Sequence, residues 1–203
     1  PYTTLFRSPS PAAASGDLTA VLDHLGIGPA HLVGQSMGGW HITAYALDHP
    51  DRVLSLTYAD TVGALWTTEL RAAFDRFSAS GGLSGGADAR DTLGGHRALW
   101  AGTAERNLPL AFLYQSLGSF FTPPMRQLGD TINWSVDHGR IAQLGVPVLF
   151  LAGTHDQIFP ADLLADSAAR IPGARFVEIP DAGHSPYFEQ PAAWNQALLS
   201  FLP

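Results

Sequence analysis

The chain has 203 residues, a formal net charge of −7 and no cysteine. The length suits one domain with a sizeable core, and the acidic balance argues against a nucleic-acid surface or a polybasic membrane patch. The absence of cysteine excludes disulfides, thiol nucleophiles and cysteine-ligated metals, and no apolar run approaches the ~20 residues of a membrane span.

The N-terminal residues that precede the first predicted helix show no pattern of regular secondary structure. Residues 1–8 have neither helix nor strand periodicity, and they match one translation of a common sequencing adapter. We therefore interpret residues 1–16 as an artefactual or flexible N-terminus. Apolar residues then recur at helical spacing over 17–25, which predicts a helix that ends at Gly26.

Strands and helices alternate through the two outer parts of the remaining chain. Apolar runs predict strands over 31–35, 52–59, 147–152 and 174–179. Helix-like segments follow three of these strands, over 39–49, 160–170 and 191–202. Such alternation with short connections predicts an α/β fold with a mostly parallel sheet flanked by helices.

Residues 62–140 differ in character from the alternating parts. They contain many aromatic residues and helix-like segments around 66–78, 92–104, 107–118 and 122–129. We predict that 62–140 is a helical cap inserted into a core made of 17–61 and 141–203. Its aromatic residues either form a core of their own or cover an apolar pocket, and both roles are compatible.

The motif Gly34-x-Ser36-x-Gly38 lies between a predicted strand and a predicted helix. This arrangement is typical of a nucleophile elbow, in which a tight turn exposes the serine at the start of a helix. Because the turn is tight, we expect both glycines to be required for lack of bulk. The helix N-terminus favours the negative charge that develops during acyl transfer.

Two further polar groups follow the ends of later strands, namely Asp156 and His184. The carboxyl ends of parallel strands lie along one edge of a sheet, so both side chains are expected near Ser36. A serine needs an adjacent base, and an imidazole needs a carboxylate to orient it. As alternatives, Asp156 caps the helix over 160–170 or His184 is a buried structural histidine.

Three segments, LVGQSMGGW, VLFLAGTHDQIFP and AGHSPYFEQP, resemble the α/β-hydrolase fold superfamily of the capped serine hydrolase type. Together with the strand–helix order, the resemblance covers residues 17–203. It implies that Ser36 is the nucleophile, His184 the base and Asp156 the acid. It also implies that the backbone N–H of Met37 donates to the oxyanion.

The resemblance leaves one rival acid and one departure from the family pattern. Some family members carry the acid after the preceding strand, where this chain has Asp60. The family's first strands and its second oxyanion donor would precede residue 17, so we expect this chain to be a C-terminal portion. An exposed edge at strand 31–35 would then favour aggregation, and loss of one oxyanion donor would lower turnover by ~10²–10³-fold.

The predicted function is a serine hydrolase that forms an acyl-enzyme on a small, fairly apolar ester, lactone or carbonyl substrate. Carbon–carbon bond hydrolysis, a cofactor-free perhydrolase activity and non-catalytic ligand binding remain alternatives. We expect no cofactor, no metal, a small-molecule substrate, no nucleic-acid partner, no membrane span and a cytoplasmic location, with the oligomeric state open. The candidate pocket residues are Gln35, Trp40, His155 and Ile158.

Overall fold

The computed structural model describes residues 10–81, 97–119 and 129–202. Its strands form one sheet in the order β1–β2–β3–β4, and every neighbouring pair is parallel. The strands are β1 (Ala30–Gln35), β2 (Val53–Ala59), β3 (Val148–Gly153) and β4 (Arg175–Ile179). The predicted α/β class with a mostly parallel sheet is confirmed.

Helices connect and flank the strands. In chain order they are α1 (Pro11–His24), α2 (Gly38–Asp48), α3 (Thr68–Ala79), α4 (Gly102–Arg106), α5 (Leu108–Ser119), α6 (Gly129–Asn133), α7 (His138–Ala142), α8 (Ala161–Ala169), α9 (Pro186–Glu189) and α10 (Pro191–Leu199). Helix α2 packs against β1 and β2, α8 against β3 and β4, and α10 against β4. No helix in the described ranges is long and apolar enough to cross a bilayer.

Strand β3 shows why the sheet is covered on both faces. All six of its residues are buried. Phe150 belongs to the apolar cluster that contains α2 and α8 residues, whereas its neighbours Leu149 and Leu151 belong to the cluster formed with α10. Successive side chains of a strand point to opposite faces, so a continuous apolar run is needed when both faces are covered.

Helix α1 begins earlier than the apolar periodicity predicts. The hydroxyl of Ser10 accepts a hydrogen bond from the backbone N–H of Ala13 at 3.3 Å, and Pro11 occupies the first turn. Both are helix-start signals, and Ala14 is buried. The interpretation of 1–16 as flexible or artefactual is therefore wrong for residues 11–16, while residues 1–9 lie outside the described ranges.

Two of the helices predicted over 62–140 are found in the described residues. Helices α3 and α5 lie within two residues of the segments predicted over 66–78 and 107–118. Of the helix predicted over 92–104, residues 92–96 lie outside the described residues. The prediction is wrong for residues 97–101, which are not helical, and α4 begins only at Gly102. Most of 122–129 also lies outside the described residues. Helices α6 and α7 were not predicted. The division into a core and a cap stays a prediction.

Candidate active site

Ser36 follows β1 directly and has the backbone conformation of a strained turn. Its φ is +50°, in the left-handed region that non-glycine residues rarely occupy. Its backbone N–H donates to the carbonyl of Ala59 at 3.0 Å, which ties the turn to the end of β2. Helix α2 begins two residues later at Gly38. The strand, turn, serine and helix thus have the elbow order that the sequence predicts.

The glycines of the elbow are not equally crowded. A Cβ on Gly34 would lie 2.6 Å from the carbonyl oxygen of Gly38, and one on Gly39 would lie 2.5 Å from the Thr61 side chain. A Cβ on Gly38 would meet nothing within 4 Å. The expectation that Gly38 must lack bulk is therefore wrong, because its Cα–Cβ direction points into open space, and the second crowded position is Gly39.

Ser36, His184 and Asp156 are joined by two hydrogen bonds. The hydroxyl of Ser36 lies 2.9 Å from Nε2 of His184. Nδ1 of His184 lies 2.9 Å from Oδ2 of Asp156. These residues follow β1, β4 and β3 respectively, so the shared direction of the strands brings them to one edge of the sheet. If Nδ1–H donates to the carboxylate, Nε2 is free to accept the serine proton.

The second carboxylate oxygen of Asp156 has a separate role. Oδ1 accepts hydrogen bonds from the backbone N–H groups of Ile158 at 2.8 Å and Phe159 at 3.1 Å. These bonds close the turn that leads into α8, whose N-cap residue, Pro160, makes no side-chain capping bond. The alternative that Asp156 serves the helix start is therefore compatible with its contact to His184, because different oxygens make the two sets of bonds.

Asp60 occupies the position of the rival acid but bonds elsewhere. Its Oδ1 accepts from the backbone N–H of Gly153 at 2.8 Å, while its buried Oδ2 has no partner among the described residues. Burial raises the pKa of the Asp60 carboxyl well above its ordinary value, and the charge of Asp156 raises it further. This favours a protonated Asp60, whereas Asp156 makes the hydrogen bond to His184.

The electrostatics of His184 are set by opposing effects. Burial alone would lower its pKa, since a charged imidazolium loses solvation in the interior. The charge of Asp156 and its hydrogen bond act in the other direction, with a smaller contribution from the charge of Glu189, and the net pKa is raised above 6.5. The site therefore stabilises the imidazolium that forms when a histidine accepts a proton from serine.

Two of the candidate pocket residues contact the catalytic loops. Gln35 donates from Nε2 to the carbonyl oxygen of His184 at 2.9 Å. Ile158 is half-buried and lies in the turn held by Asp156. Met37, the candidate oxyanion donor, is half-buried at the N-cap of α2.

The other two candidate pocket residues pack against aromatic rings outside the triad. Trp40 is 1% exposed and packs with Trp66 and Phe159 at ring distances of 5.9 and 6.2 Å, which makes it part of the core behind the site. His155 is exposed, and its ring stacks on Trp100 at 4.7 Å. That Trp40 and His155 line the substrate pocket stays a prediction, because the sequence does not encode which way their rings point.

Three residues near His184 were not singled out from the sequence. The Phe159 ring lies 5.8 Å from the His184 ring, and the Tyr114 hydroxyl lies 2.8 Å from the hydroxyl of Ser185. Glu189 is buried and accepts a hydrogen bond from Gly183, the residue before His184. Phe159 and Glu189 lie inside the two quoted segments that carry Asp156 and His184, which is the only signal that could have found them.

A family model and a curated relative match most of this chain. A family model described as the alpha/beta hydrolase fold matches residues 10–191. Carboxylesterase YbfK of Bacillus subtilis (strain 168) is 28% identical over 187 residues, which cover 90% of this chain and 60% of that protein.

Two solved structures are similar in both fold and sequence. A thermophilic esterase from Thermogutta terrifontis superposes with a TM-score of 0.73 at 27% identity, covering 94% of this chain and 71% of that one. The enol-lactonase from Burkholderia xenovorans LB400 gives a TM-score of 0.70 at 25% identity, covering 95% of this chain and 72% of that one.

Proposed function

This chain belongs to the α/β-hydrolase family, and from that premise we propose that it cleaves a small, fairly apolar ester, lactone or related carbonyl substrate through an acyl-enzyme at Ser36. Hydrolase chemistry is common to the esterase and lactonase relatives. The observation that carries the serine mechanism is the continuous hydrogen-bonded path from the Ser36 hydroxyl through His184 to Asp156.

In the first half of the proposed reaction, Oγ of Ser36 attacks the substrate carbonyl carbon while Nε2 of His184 takes the hydroxyl proton. Asp156 keeps the proton on Nδ1 and offsets the positive charge of the imidazolium. The oxyanion forms at the start of α2, where the backbone N–H of Met37 is the proposed donor. The imidazolium then gives its proton to the leaving alkoxide, which leaves an acylated Ser36.

In the second half, a water molecule replaces the alcohol. Neutral His184 accepts a proton from the water as its oxygen attacks the acyl carbon, and the same proton then returns to Oγ of Ser36. The products are a carboxylic acid and the free serine. No step requires a cofactor, since each proton that leaves a reacting oxygen is held by His184.

The proposed substrate class follows from the surroundings of the triad. The Phe159 ring lies beside His184, and half-buried Met37 and Ile158 flank the serine and the acid. Apolar side chains around a few placed polar groups are typical of small-molecule pockets. The relatives named esterase, carboxylesterase and enol-lactonase support the same class.

A fluorophosphonate probe tests the nucleophile directly. We expect the wild-type chain to be labelled once, on the peptide that contains Ser36, and the Ser36→Ala variant to remain unlabelled. Ser200→Ala is the matched control, because this exposed serine lies at the end of α10 and should not affect labelling. Turnover of a series of nitrophenyl esters and lactones would then rank acyl length.

The probe also separates catalysis from ligand binding without turnover. A folded wild-type chain that resists the probe at Ser36, while His184 and Asp156 are intact, would contradict the proposed mechanism and favour a non-catalytic binder. Labelling of a different serine would contradict the assignment of Ser36 itself.

A further inference from the structure

Glu189 joins two parts of the chain that are far apart in sequence. It is the last residue of α9, five positions after His184, and it is 8% exposed. Its Oε2 accepts from the backbone N–H of Gly183 at 2.7 Å. Its Oε1 accepts from the backbone N–H of Trp100 at 2.7 Å and from the hydroxyl of Thr103. One carboxylate thus links residues 97–106, here called the docked segment, to residues 180–185, the histidine loop.

The two linked backbones are also in direct contact. A Cβ on Gly183 would lie 2.5 Å from the backbone nitrogen of Trp100 and 2.7 Å from the carbonyl carbon of Leu99. Only glycine permits this approach, because the obstructing atoms are backbone atoms that cannot rotate away. The residue directly before His184 is therefore packed against the docked segment.

The docked segment also contacts the loop that carries Asp156 and the loop that carries His184. The Trp100 ring stacks on His155, the residue before Asp156, at 4.7 Å with ring planes 10° apart. The guanidinium carbon of Arg106 lies 4.5 Å from the centre of the Trp100 ring, and Arg106 forms an ion pair with Asp181. The docked segment thus touches the loop of the acid and the loop of the base.

Glu189 is the buried member of this arrangement. The ion pair between Arg106 and Asp181 is exposed, with 58% and 44% of the side chains accessible, and exposed pairs contribute little. In contrast, Glu189 satisfies three donors with its two oxygens inside the protein. Hydrogen bonds to an ionised carboxylate are stronger than bonds between neutral groups, so this contact is expected to dominate the link.

We propose that Glu189 is a positioning residue for the base: its carboxylate couples the docked segment to the histidine loop, so that His184 is held in register with Ser36 only while the segment is docked. This proposal rests on the proposed function, because it takes His184 to be the catalytic base. Glu189 itself makes no hydrogen bond described above to Ser36 or to the imidazole. It predicts that loosening the link lowers turnover without removing any group of the triad.

The Glu189→Gln variant breaks the link with little change of shape. An amide has one acceptor oxygen and one donor group, so one of the two backbone N–H groups, of Gly183 or of Trp100, must face a donor in either orientation. We expect kcat to fall by ~10–100-fold, as for other small displacements of catalytic groups, with a smaller change in KM. Glu178→Gln is the matched control, because this exposed acid on β4 carries the same charge and lies outside the link.

The pH profile separates positioning from a general loss of structure. The charges of Asp156 and Glu189 raise the pKa of His184, and Asp60, which faces the same imidazole, adds to this only when it is ionised. Removing the charge of Glu189 therefore shifts the acid limb of kcat/KM to lower pH in Glu189→Gln. The shorter Glu189→Asp keeps the charge but cannot span the same donors, so kcat falls while the acid limb moves much less.

Amide hydrogen exchange tests the link between the two segments without requiring catalytic turnover. In Glu189→Gln we expect faster exchange in both residues 97–106 and residues 180–185, and no change in Glu178→Gln. Faster exchange in both segments supports the coupling even if the wild-type chain resists the fluorophosphonate probe, a result that would reject the proposed function alone.

Other outcomes overturn the positioning role. One is unchanged exchange in the two segments of Glu189→Gln. Another is a labelled, folded Glu189→Gln variant with wild-type kcat. A third is a fall in kcat that matches a lower fraction of folded protein and leaves the pH profile unmoved.

Discussion

The side-chain amide of Gln35 donates to the backbone carbonyl of His184 across 2.9 Å, although 149 positions separate the two residues in the chain. Gln35 is the last residue of β1 and precedes the serine. The strand that presents the nucleophile therefore also holds the backbone of the base, and the two catalytic loops are linked by a contact outside the triad.

Replacing Gln35 with alanine tests this link. The change leaves the carbonyl of His184 without its partner, which should cost ~1–3 kcal/mol in the free energy of unfolding and lower kcat by ~10-fold through misplacement of the imidazole. Urea denaturation and steady-state kinetics measure the two effects. Gln196→Ala, on the exposed side of α10, is the control. Wild-type kcat in Gln35→Ala would show that the contact is dispensable.

Replacing Asp156 with asparagine tests the assignment of the acid. We expect kcat to fall by ~10⁴-fold, because an amide can donate to Nδ1 and so stabilises the wrong tautomer of His184. The wild-type acid limb lies above pH 6.5, since His184 must be neutral to accept a proton and its pKa is raised mainly by Asp156. Loss of that charge moves the limb of the residual activity to lower pH. Near-normal turnover would instead assign the acid to Asp60.

Replacing Asp60 with asparagine tests the neutral state of that carboxyl. Its pKa is raised from 3.8 in the folded protein, so above that pH the folded state holds a proton that the unfolded state has released. Stability from this group therefore falls as pH rises from about 3.8 toward the folded pKa. An asparagine at this position would carry no such penalty, while its side-chain oxygen can still accept from Gly153.

The expected result is a higher Tm for Asp60→Asn than for wild type at pH 7, with the difference shrinking toward pH 4, as measured by thermal melts across that range. Turnover should stay within a few-fold of wild type, since Asp156 makes the bond to His184. Asp75→Asn, on the exposed face of α3, controls for loss of one surface charge. A pH-independent difference in Tm would mean that Asp60 is ionised in the folded protein.

Alanine at Gly34 should have a much larger effect than alanine at Gly38. A Cβ at Gly34 collides with backbone atoms of Gly38 and Gly39, at 2.6 to 2.7 Å, whereas one at Gly38 meets open space. We expect Gly34→Ala to destabilise the fold by ~1–3 kcal/mol or more and to slow probe labelling of Ser36. Gly38→Ala should leave both nearly unchanged. Equal effects of the two changes would refute this difference in crowding.

The sequence predicted the parts of the fold that depend on local pattern. The apolar run of β3 and the elbow at Ser36 identified β3, β1 and the turn after β1 to within a residue or two. The convergence of Ser36, Asp156 and His184 followed from strand direction alone. Their roles stay proposals, but their placement at one sheet edge needed no more than the order of the elements.

The remaining features depend on distances that no local pattern encodes. The contact of Glu189 with Trp100 spans 89 positions and requires the docked segment to lie over the histidine loop. The freedom of Gly38 depends on where one Cα–Cβ bond points, and a motif treats both glycines alike. The early start of α1 was missed because it relies on Ser10 and Pro11 rather than on apolar periodicity.

The two oxygens of the Asp156 carboxylate make different contacts, and this affects how catalytic activity can be inferred in distant homologues. One oxygen steadies the imidazole while the other shapes the entry to α8, so chemistry and architecture share one side chain. A homologue that had lost the catalytic activity would still lose the hydrogen bonds at the start of α8 if this aspartate were replaced. Its survival in a homologue is thus poor evidence of turnover, and the serine, which carries less of the scaffold, is the better diagnostic.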